Sequence, residues 1–231
     1  MPASPLPGTP SADTSPADTL PAATLLLVRH GETPNNAAQM FRGPDGAQEP
    51  LSEKGHAEAL ALGAALAASG LANLDAANVR LYASPYVRAQ QTARHLADAL
   101  GVPLHTLPGV HEIHTGAWQG RPYSAMQTHA HELTAPDGHF GYPGGESLVG
   151  VAERFHTALL GLEPQAGETV IVVSHGAALV ALLARLLGRD AREVWFSNEF
   201  HHPNTAVTEL SWQGEGQPTV LRLADVSHLS G

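Results

Sequence analysis

The chain has 231 residues, with 12 Lys and Arg against 22 Asp and Glu for a formal net charge of −10, and it contains 14 His and no Cys. This length suits one domain, or one domain with an inserted lobe, whose core buries roughly 70% of the unfolded chain's surface. The lack of Cys excludes a disulfide framework, a Cys-ligated metal centre and a thiol nucleophile. Because the acidic chain has no block of Lys and Arg, we expect no nucleic-acid or membrane partner, and any anion site must be a local basic pocket.

The first 22 residues differ in composition from the rest of the chain. They hold six of the 18 Pro, with many Ser, Thr and Ala and only Asp13 and Asp18 as charges. We therefore expect a disordered tail over 1–22 and a folded domain over 23–231. No Lys or Arg precedes Arg29 and the apolar run at 25–28 is short, so we expect no secretory signal and a cytoplasmic protein. The longest apolar stretch, at 177–187, is too short to span a membrane.

From residue 24 onward, short β-prone runs alternate with helical patterns. This alternation predicts an α/β fold, a three-layer α/β/α sandwich with a mostly parallel central sheet. Strands are predicted over 24–28, 79–83, 104–107, 169–174, 206–211 and 219–223, and helices over about 53–68, 84–100, 148–162 and 177–187. For the second helix, Ser84 is predicted as the N-cap before Pro85, and Gly101 as the left-handed stop. The Gly-, Pro- and His-rich span at about 116–145 is predicted to be a small lid insertion.

Two of the predicted strands end in similar tripeptides, Arg29-His30-Gly31 and Ser174-His175-Gly176. Ligands bind outside the carboxyl ends of parallel strands, so the two imidazoles are expected in one crevice. Each His taken alone would be read as a hydrogen-bonded residue at a strand end. The pair together indicates a functional site.

The segment from Arg29 to Asn36 resembles the Arg-His-Gly signature of the histidine phosphatase superfamily, which includes the cofactor-dependent phosphoglycerate mutases. Five further segments follow in the order of that family, and the similarity covers nearly everything after residue 23. They are Pro-Leu-Ser-Glu-Lys-Gly at 50–55, Ser-Pro-Tyr-Val-Arg-Ala-Gln-Gln-Thr-Ala at 84–93, Glu-Ile-His-Thr-Gly-Ala-Trp-Gln-Gly at 112–120, Pro-Gly-Gly-Glu-Ser at 143–147 and Ser-His-Gly at 174–176. The resemblance implies a phosphomonoester hydrolase acting on a small molecule through a phosphohistidine.

This chemistry assigns roles to the motif residues. A neutral imidazole attacks at pH 7 without losing a proton, so His30 is the expected nucleophile, and its other ring nitrogen should donate to a backbone carbonyl. Arg29 and Arg88 are the expected phosphate clamps because a guanidinium offers planar paired donors to phosphate oxygens. His175 is expected to be a further donor to the phosphoryl group. The helix that carries Arg88 adds the partial positive charge of its N-terminus.

Three further roles are implied by the resemblance. Asn36 would add a neutral hydrogen bond to the phosphate, and Arg42 resembles the family's second basic contact on the loop after the signature. Glu112, in the Glu-Ile-x-x-Gly segment, would be the general acid that protonates the leaving group. Its position alone favours a solvated loop residue, and only the match to the family's segment reverses that interpretation. No metal and no cofactor is expected.

Several alternatives stay open. A mutase needs extra cations for a second anionic group, and Arg121 is the only Arg or Lys between 115 and 143, which favours hydrolysis. At His114-Thr115 many relatives carry Asp and an aromatic residue, so specificity is open, and His114 either faces the pocket rim or lies in solvent. Other readings are a His-rich metal-binding module, and a phosphopeptide binder or protein phosphatase. The pairs that motivate the metal module are His111 with His114, His129 with His131, and His201 with His202.

Overall fold

A computed structural model of the chain describes residues 22–42, 44–71, 78–213 and 216–230. The predicted disordered tail at 1–22 therefore lies outside the described residues, apart from Ala22.

The centre of the fold is a six-stranded sheet, ordered β3-β2-β4-β1-β5-β6. The strands are β1 (Ala23–Arg29), β2 (Val79–Ala83), β3 (Leu104–Thr106), β4 (Thr169–Ser174), β5 (Val207–Trp212) and β6 (Thr219–Asp225). The pairs β1–β4, β2–β4 and β2–β3 are parallel, whereas β5 runs antiparallel to both of its neighbours. The predicted mostly parallel sheet is thus confirmed, with strand bounds that shift by one or two residues.

The helices of the described chain are α1 (Pro34–Ala37), α2 (Glu53–Ala68), α3 (Val87–Leu100), α4 (Met126–His129), α5 (Leu148–Leu160), α6 (Gly176–Leu186) and α7 (Ala191–Ser197). Alternate side chains of β1 point to opposite faces of the sheet: Leu25 and Leu27 pack with α5 and α6, and Leu26 and Val28 pack with α2 and α3. These two cores make the predicted three-layer sandwich. None of these helices is long and apolar enough to cross a membrane.

The predicted start of α3 is wrong. The helix begins at Val87, and its N-cap residue Tyr86 makes no side-chain cap. The Ser84 oxygen accepts from the Tyr86 N–H and also bonds to His175, the residue after β4, so the predicted capping oxygen is shared with a buried partner that is distant in sequence. At the other end, Gly101 has the expected left-handed φ of 67° and donates to the Ala97 carbonyl.

The span predicted as a lid holds short helical turns. These are the 3-10 turns Gly116–Trp118, Tyr123–Ala125 and Ala130–Glu132, together with α4. Trp118 is fully buried, and its ring packs edge-on against Phe41 and Tyr142 with centroids 5.5 and 5.8 Å apart. This aromatic cluster attaches the span to the loop after α1.

Two motif segments cross each other where their backbones touch. The Glu146 N–H donates to the His114 carbonyl at 2.9 Å. A Cβ on Gly145 would lie 2.0 Å from the His114 carbonyl oxygen, and one on Gly116 would lie 2.2 Å from the Pro143 oxygen. Gly145 and Gly116 are therefore required by close backbone approach.

The crossing predicts that Gly145→Ala is destabilising. The added methyl must displace backbone on the other segment, so the free energy of unfolding should fall by about 2 kcal/mol. Urea unfolding followed by circular dichroism measures it.

Gly161→Ala is the matched control. Its φ of −64° suits any residue and the nearest atom to an added Cβ is 3.6 Å away, so stability should change by less than about 0.5 kcal/mol. Equal urea midpoints for Gly145→Ala and Gly161→Ala would contradict the claim that close backbone approach requires a glycine at 145.

Candidate active site

The two histidines that end β1 and β4 meet at one edge of the sheet. Arg29 pairs with Ser174 in the parallel register, so His30 and His175 leave neighbouring strands side by side. Their ring centroids are 5.1 Å apart, and both side chains are almost completely buried. The sheet thus produces the juxtaposition that the strand ends predict.

The hydrogen bonds of His30 define its tautomer. Its Nδ1 lies 2.7 Å from the Gly31 carbonyl oxygen, which only accepts, so Nδ1 carries the proton. The other nitrogen, Nε2, accepts from Arg88 Nε at 3.1 Å. Because a guanidinium only donates, this second bond also requires a lone pair on Nε2.

Both imidazoles are neutral at pH 7. Burial lowers the pKa of His30 well below 6.5, and the nearby Arg88 and Arg29 cations lower it further. Burial, Arg88 and His30 act on the pKa of His175 in the same direction. A neutral ring with an unprotonated nitrogen can act as a nucleophile without first losing a proton.

Arg88 lies in the first turn of α3 and is almost completely buried. Its Nη1 donates to the Gly46 carbonyl, and its guanidinium lies 5.0 Å from the Tyr86 ring centroid. Burial lowers the pKa of Arg88 to about 10, which still leaves it charged at neutral pH. The side chain is therefore a fixed cation beside His30.

Arg29 points from the last residue of β1 into the same region. Its Nη1 donates to the His202 carbonyl, and its buried Nε has no hydrogen-bond partner among the described residues. The first residue of α6, Gly176, packs against this guanidinium, 3.4 Å from Nε to the position a Cβ would occupy. A larger residue there would press on the cation.

The Glu112 carboxylate occupies the N-terminus of α6. Its Oε1 accepts from the Ala178 and Ile113 N–H groups at 3.0 Å each, and its Oε2 accepts from Ala177 at 3.3 Å. The N–H groups of this helix end therefore hold Glu112 in place next to His175.

Arg154 and Glu146 fix the backbone around Glu112. Arg154 on α5 donates to the carbonyls of Gly109, His111 and Glu112 at 2.6, 2.8 and 3.2 Å, and it pairs with Glu146 at 2.9 Å. Sequence reasoning missed both residues. The signal it passed over is the Glu of the Pro-Gly-Gly-Glu-Ser motif, a charge whose partner lies eight residues later.

Ser84 is a third residue whose place in the site was missed by sequence reasoning. Its Oγ lies 2.7 Å from His175 Nε2 and accepts from the Tyr86 N–H at 3.3 Å. The His175 Nδ1 atom is buried and has no hydrogen-bond partner in the described part of the chain. Ser84 thus connects the start of α3 to the second histidine.

The remaining predicted residues, Asn36 and Arg42, lie on either side of this cluster. The Asn36 Oδ1 accepts from Asn204 Nδ2 at 3.3 Å, and the same Asn204 nitrogen donates to the His30 carbonyl at 3.0 Å. Arg42 forms an ion pair with Glu49 at 3.0 Å and lines the adjoining cavity. Asn36 therefore supports the His30 loop, and Arg42 belongs to the cavity wall.

A cavity of about 370 Å³ adjoins the cluster. Arg29, Arg42 and Glu112 line it, whereas His30, Arg88, His175 and His114 do not. The rest of its wall is mostly apolar and aromatic, from the 116–145 span, α6 and α7. The cavity therefore borders the histidine pair through Arg29 and Glu112.

The His pairs that motivate the metal-module reading do not form a metal centre in the described ranges, where no three His, Asp or Glu side chains cluster suitably. His202 instead bonds to the Phe200 carbonyl and the Thr208 hydroxyl at 2.8 and 2.7 Å. Burial lowers the pKa of His202 to about 4, as for a hydrogen-bonded core residue.

Known proteins with similar sequences and structures include phosphatases and a mutase. A probable phosphoglycerate mutase GpmB from Yersinia pestis is 34% identical over 171 residues, which are 71% of this chain and 75% of the relative. YhfR of Bacillus stearothermophilus has a TM-score of 0.74 at 31% identity, over 90% of this chain and 100% of that chain. A mycobacterial glucosyl-3-phosphoglycerate phosphatase has a TM-score of 0.68 at 27% identity, over 88% and 99% of the two chains.

The family assignment rests on most of the chain. The model of the histidine phosphatase superfamily (branch 1) matches residues 25–226, from β1 to the residue after β6. That span contains both strand-end histidines and every motif segment of the sequence analysis. With His30 and His175 side by side at one edge of the sheet and the family model matched over residues 25–226, the chain belongs to the histidine phosphatase superfamily.

Proposed function

We propose that the chain hydrolyses small phosphomonoesters through a phosphohistidine on His30. The observation that carries the proposal is the Nε2 lone pair of a neutral, buried His30, which accepts from Arg88 Nε and lies close enough to Arg29 for that cation to lower the His30 pKa. Phosphate monoesters repel nucleophiles, so a catalyst must neutralise the dianion and align the attacking atom. This arrangement meets both requirements.

In the first step, His30 Nε2 forms a bond to phosphorus while the bond from phosphorus to the leaving oxygen breaks. The Arg88 Nε–H, which donates to His30 Nε2 in the structure, donates to a phosphoryl oxygen instead. The Arg29 Nε–H, which has no partner in the described residues, donates to another phosphoryl oxygen. Glu112, fixed beside Arg29, enters this step in its protonated form and transfers that proton to the leaving oxygen, which makes it a carboxylate. In the second step water attacks phosphorus, Glu112 takes its proton, and the N–P bond breaks to release inorganic phosphate.

His175 acts as a donor in this scheme because of Ser84. In the tautomer that this role requires, the Ser84 hydroxyl donates to His175 Nε2 while the Ser84 oxygen accepts from the Tyr86 N–H. The ring proton of His175 then sits on Nδ1, the buried nitrogen that has no partner in the described residues. This Nδ1–H is the donor left for a phosphoryl oxygen.

The main alternative is mutase-type phosphoryl transfer, which the name of the Yersinia relative favours. A mutase substrate brings a second anionic group that needs its own cation. Arg121, the cation of the 116–145 span, is paired with Glu132 at 2.8 Å and lies 5.1 Å from the Trp118 ring centroid. Its charge is therefore already engaged, which supports hydrolysis.

The first prediction concerns the covalent intermediate. Rapid mixing with 1-naphthyl phosphate and quenching in base should leave a phosphoryl adduct on the wild-type chain, measured by mass spectrometry, and acid should remove it. His30→Ala should lack both adduct and turnover, whereas the exposed His105→Ala should keep both. Turnover should also persist in EDTA, because the scheme uses no metal. An adduct in His30→Ala, or loss of turnover in EDTA, would overturn the mechanism.

The second prediction separates hydrolase from mutase. With 3-phosphoglycerate as substrate, any phosphoryl group consumed should appear as inorganic phosphate in equal amount, as quantified by phosphorus NMR. Formation of 2-phosphoglycerate with no phosphate release would establish the mutase reaction instead.

The third prediction concerns Ser84. Ser84→Ala removes the bond that sets the His175 tautomer, so kcat/KM should fall about tenfold, the effect of one lost hydrogen bond to a reacting group. Ser84→Thr keeps the hydroxyl and should restore most of the activity. Unchanged kcat/KM in the alanine variant would refute the positioning role.

A further inference from the structure

The cavity beside Arg29 and Glu112 has a wall that phosphoryl transfer does not use. We call it the apolar wall, and it comprises Tyr123, Met126, Val180, Val194, Trp195 and Phe196. Its members come from the 116–145 span, α6 and α7, so three separate parts of the chain supply the same chemistry. A cavity of about 370 Å³ has room for an aromatic ring or a short alkyl chain next to the phosphoryl group.

Cationic groups for a second anion are lacking on this cavity. Of the Lys and Arg in the described residues, only Arg29 and Arg42 line it, and Arg42 is paired with Glu49 at 3.0 Å. His201 also lines the cavity, but burial and the Arg29 charge lower its pKa below 6.5, so it is neutral at pH 7. A carboxylate on the leaving group would instead face Glu112, an acidic side chain that cannot neutralise its charge.

The polar groups on the rest of the lining are uncharged. Tyr142 and Thr115 line the cavity, and burial raises the pKa of the Tyr142 hydroxyl, so it stays protonated. Asn198 at the end of α7 contributes a neutral amide. These groups can form hydrogen bonds with one or two oxygen atoms of a leaving group, but they do not neutralise a full negative charge on it.

The mouth of the cavity is aromatic as well. Phe196 of α7 is 46% exposed and packs against Phe140 with ring centroids 5.4 Å apart. The Arg192 guanidinium lies over both rings, 5.6 Å from the Phe140 centroid and 6.0 Å from that of Phe196, and it does not line the cavity. A large exposed apolar side chain at a cavity rim is what an apolar ligand would cover.

From this lining we infer that the substrates are monoesters of apolar alcohols or phenols, with an uncharged aryl or alkyl leaving group seated on the apolar wall. The inference rests on the proposed function and narrows it. It separates this chain from phosphatases whose substrates carry a second anionic group, such as phosphoglycerate or phosphoserine.

Straight-chain alkyl phosphates from ethyl to hexyl test the inference, because their leaving groups differ in apolar area and hardly in acidity. Each added methylene that reaches the apolar wall should raise kcat/KM about three- to fourfold, until the cavity is full. Propyl phosphate and 3-phosphoglycerate share a three-carbon skeleton, and propyl phosphate should be the better substrate. Phosphoserine should likewise be poor.

Variants locate the effect. Phe196→Ala should lower kcat/KM for hexyl phosphate about tenfold and leave ethyl phosphate within about twofold, since only the longer chain reaches the ring. Leu221→Ala is the matched control, an exposed apolar residue on β6 that does not line the cavity, and it should change neither value.

The outcomes distinguish the two levels of the argument. A flat alkyl series, or faster hydrolysis of 3-phosphoglycerate than of propyl phosphate, would overturn the apolar leaving-group site while the phosphohistidine mechanism stood. No hydrolysis of any of these esters, with no base-stable adduct on His30, would overturn the proposed function and the inference with it.

Discussion

Parallel pairing of β1 with β4 is the constraint on which the site depends. It sets Arg29 opposite Ser174, so the next residue of each strand is a histidine at the same sheet edge. The antiparallel neighbour β5 then brings the preceding loop to that edge, where the His202 carbonyl accepts from Arg29 and Asn204 donates to the His30 carbonyl. Both directions of pairing are therefore needed: the parallel pair places His30 beside His175, and the antiparallel pair brings the loop whose residues bind Arg29 and the His30 carbonyl.

Burial explains why so acidic a chain can hold an anion site. Taking His30 and His175 out of water keeps both rings neutral, and the guanidinium groups beside them reinforce this. Burying the Arg29 and Arg88 cations costs free energy, which is offset by the backbone carbonyls that accept from each of them. Other N–H groups of each guanidinium are left to bind a phosphate. The net charge describes the outer surface, and this pocket is a local exception.

The motif segments that carry no reacting group serve the backbone around Glu112. Gly145 and Gly116 allow the crossing of two loops. Arg154, paired with Glu146, donates to the carbonyls of Gly109, His111 and Glu112, and Glu146 accepts from the His114 N–H. The carboxylate itself is held by N–H groups of α6. Positioning of one acid thus uses α5, α6 and two loops, which explains why separate stretches of the chain match the family together.

By itself, the sequence determined the alternation of strands and helices, the family, and the residues of the proposed site, because periodicity and short motifs are local. It did not reveal Ser84, Arg154 or Asn204 as supports. Their partners lie 91 residues away for Ser84, 42 for Arg154 and 174 for Asn204. The apolar wall was equally hidden, since its side chains meet only when α6, α7 and the 116–145 span pack together. Tertiary structure decided these features because hydrogen-bond partners and cavity linings follow from packing between distant segments, which no local pattern encodes.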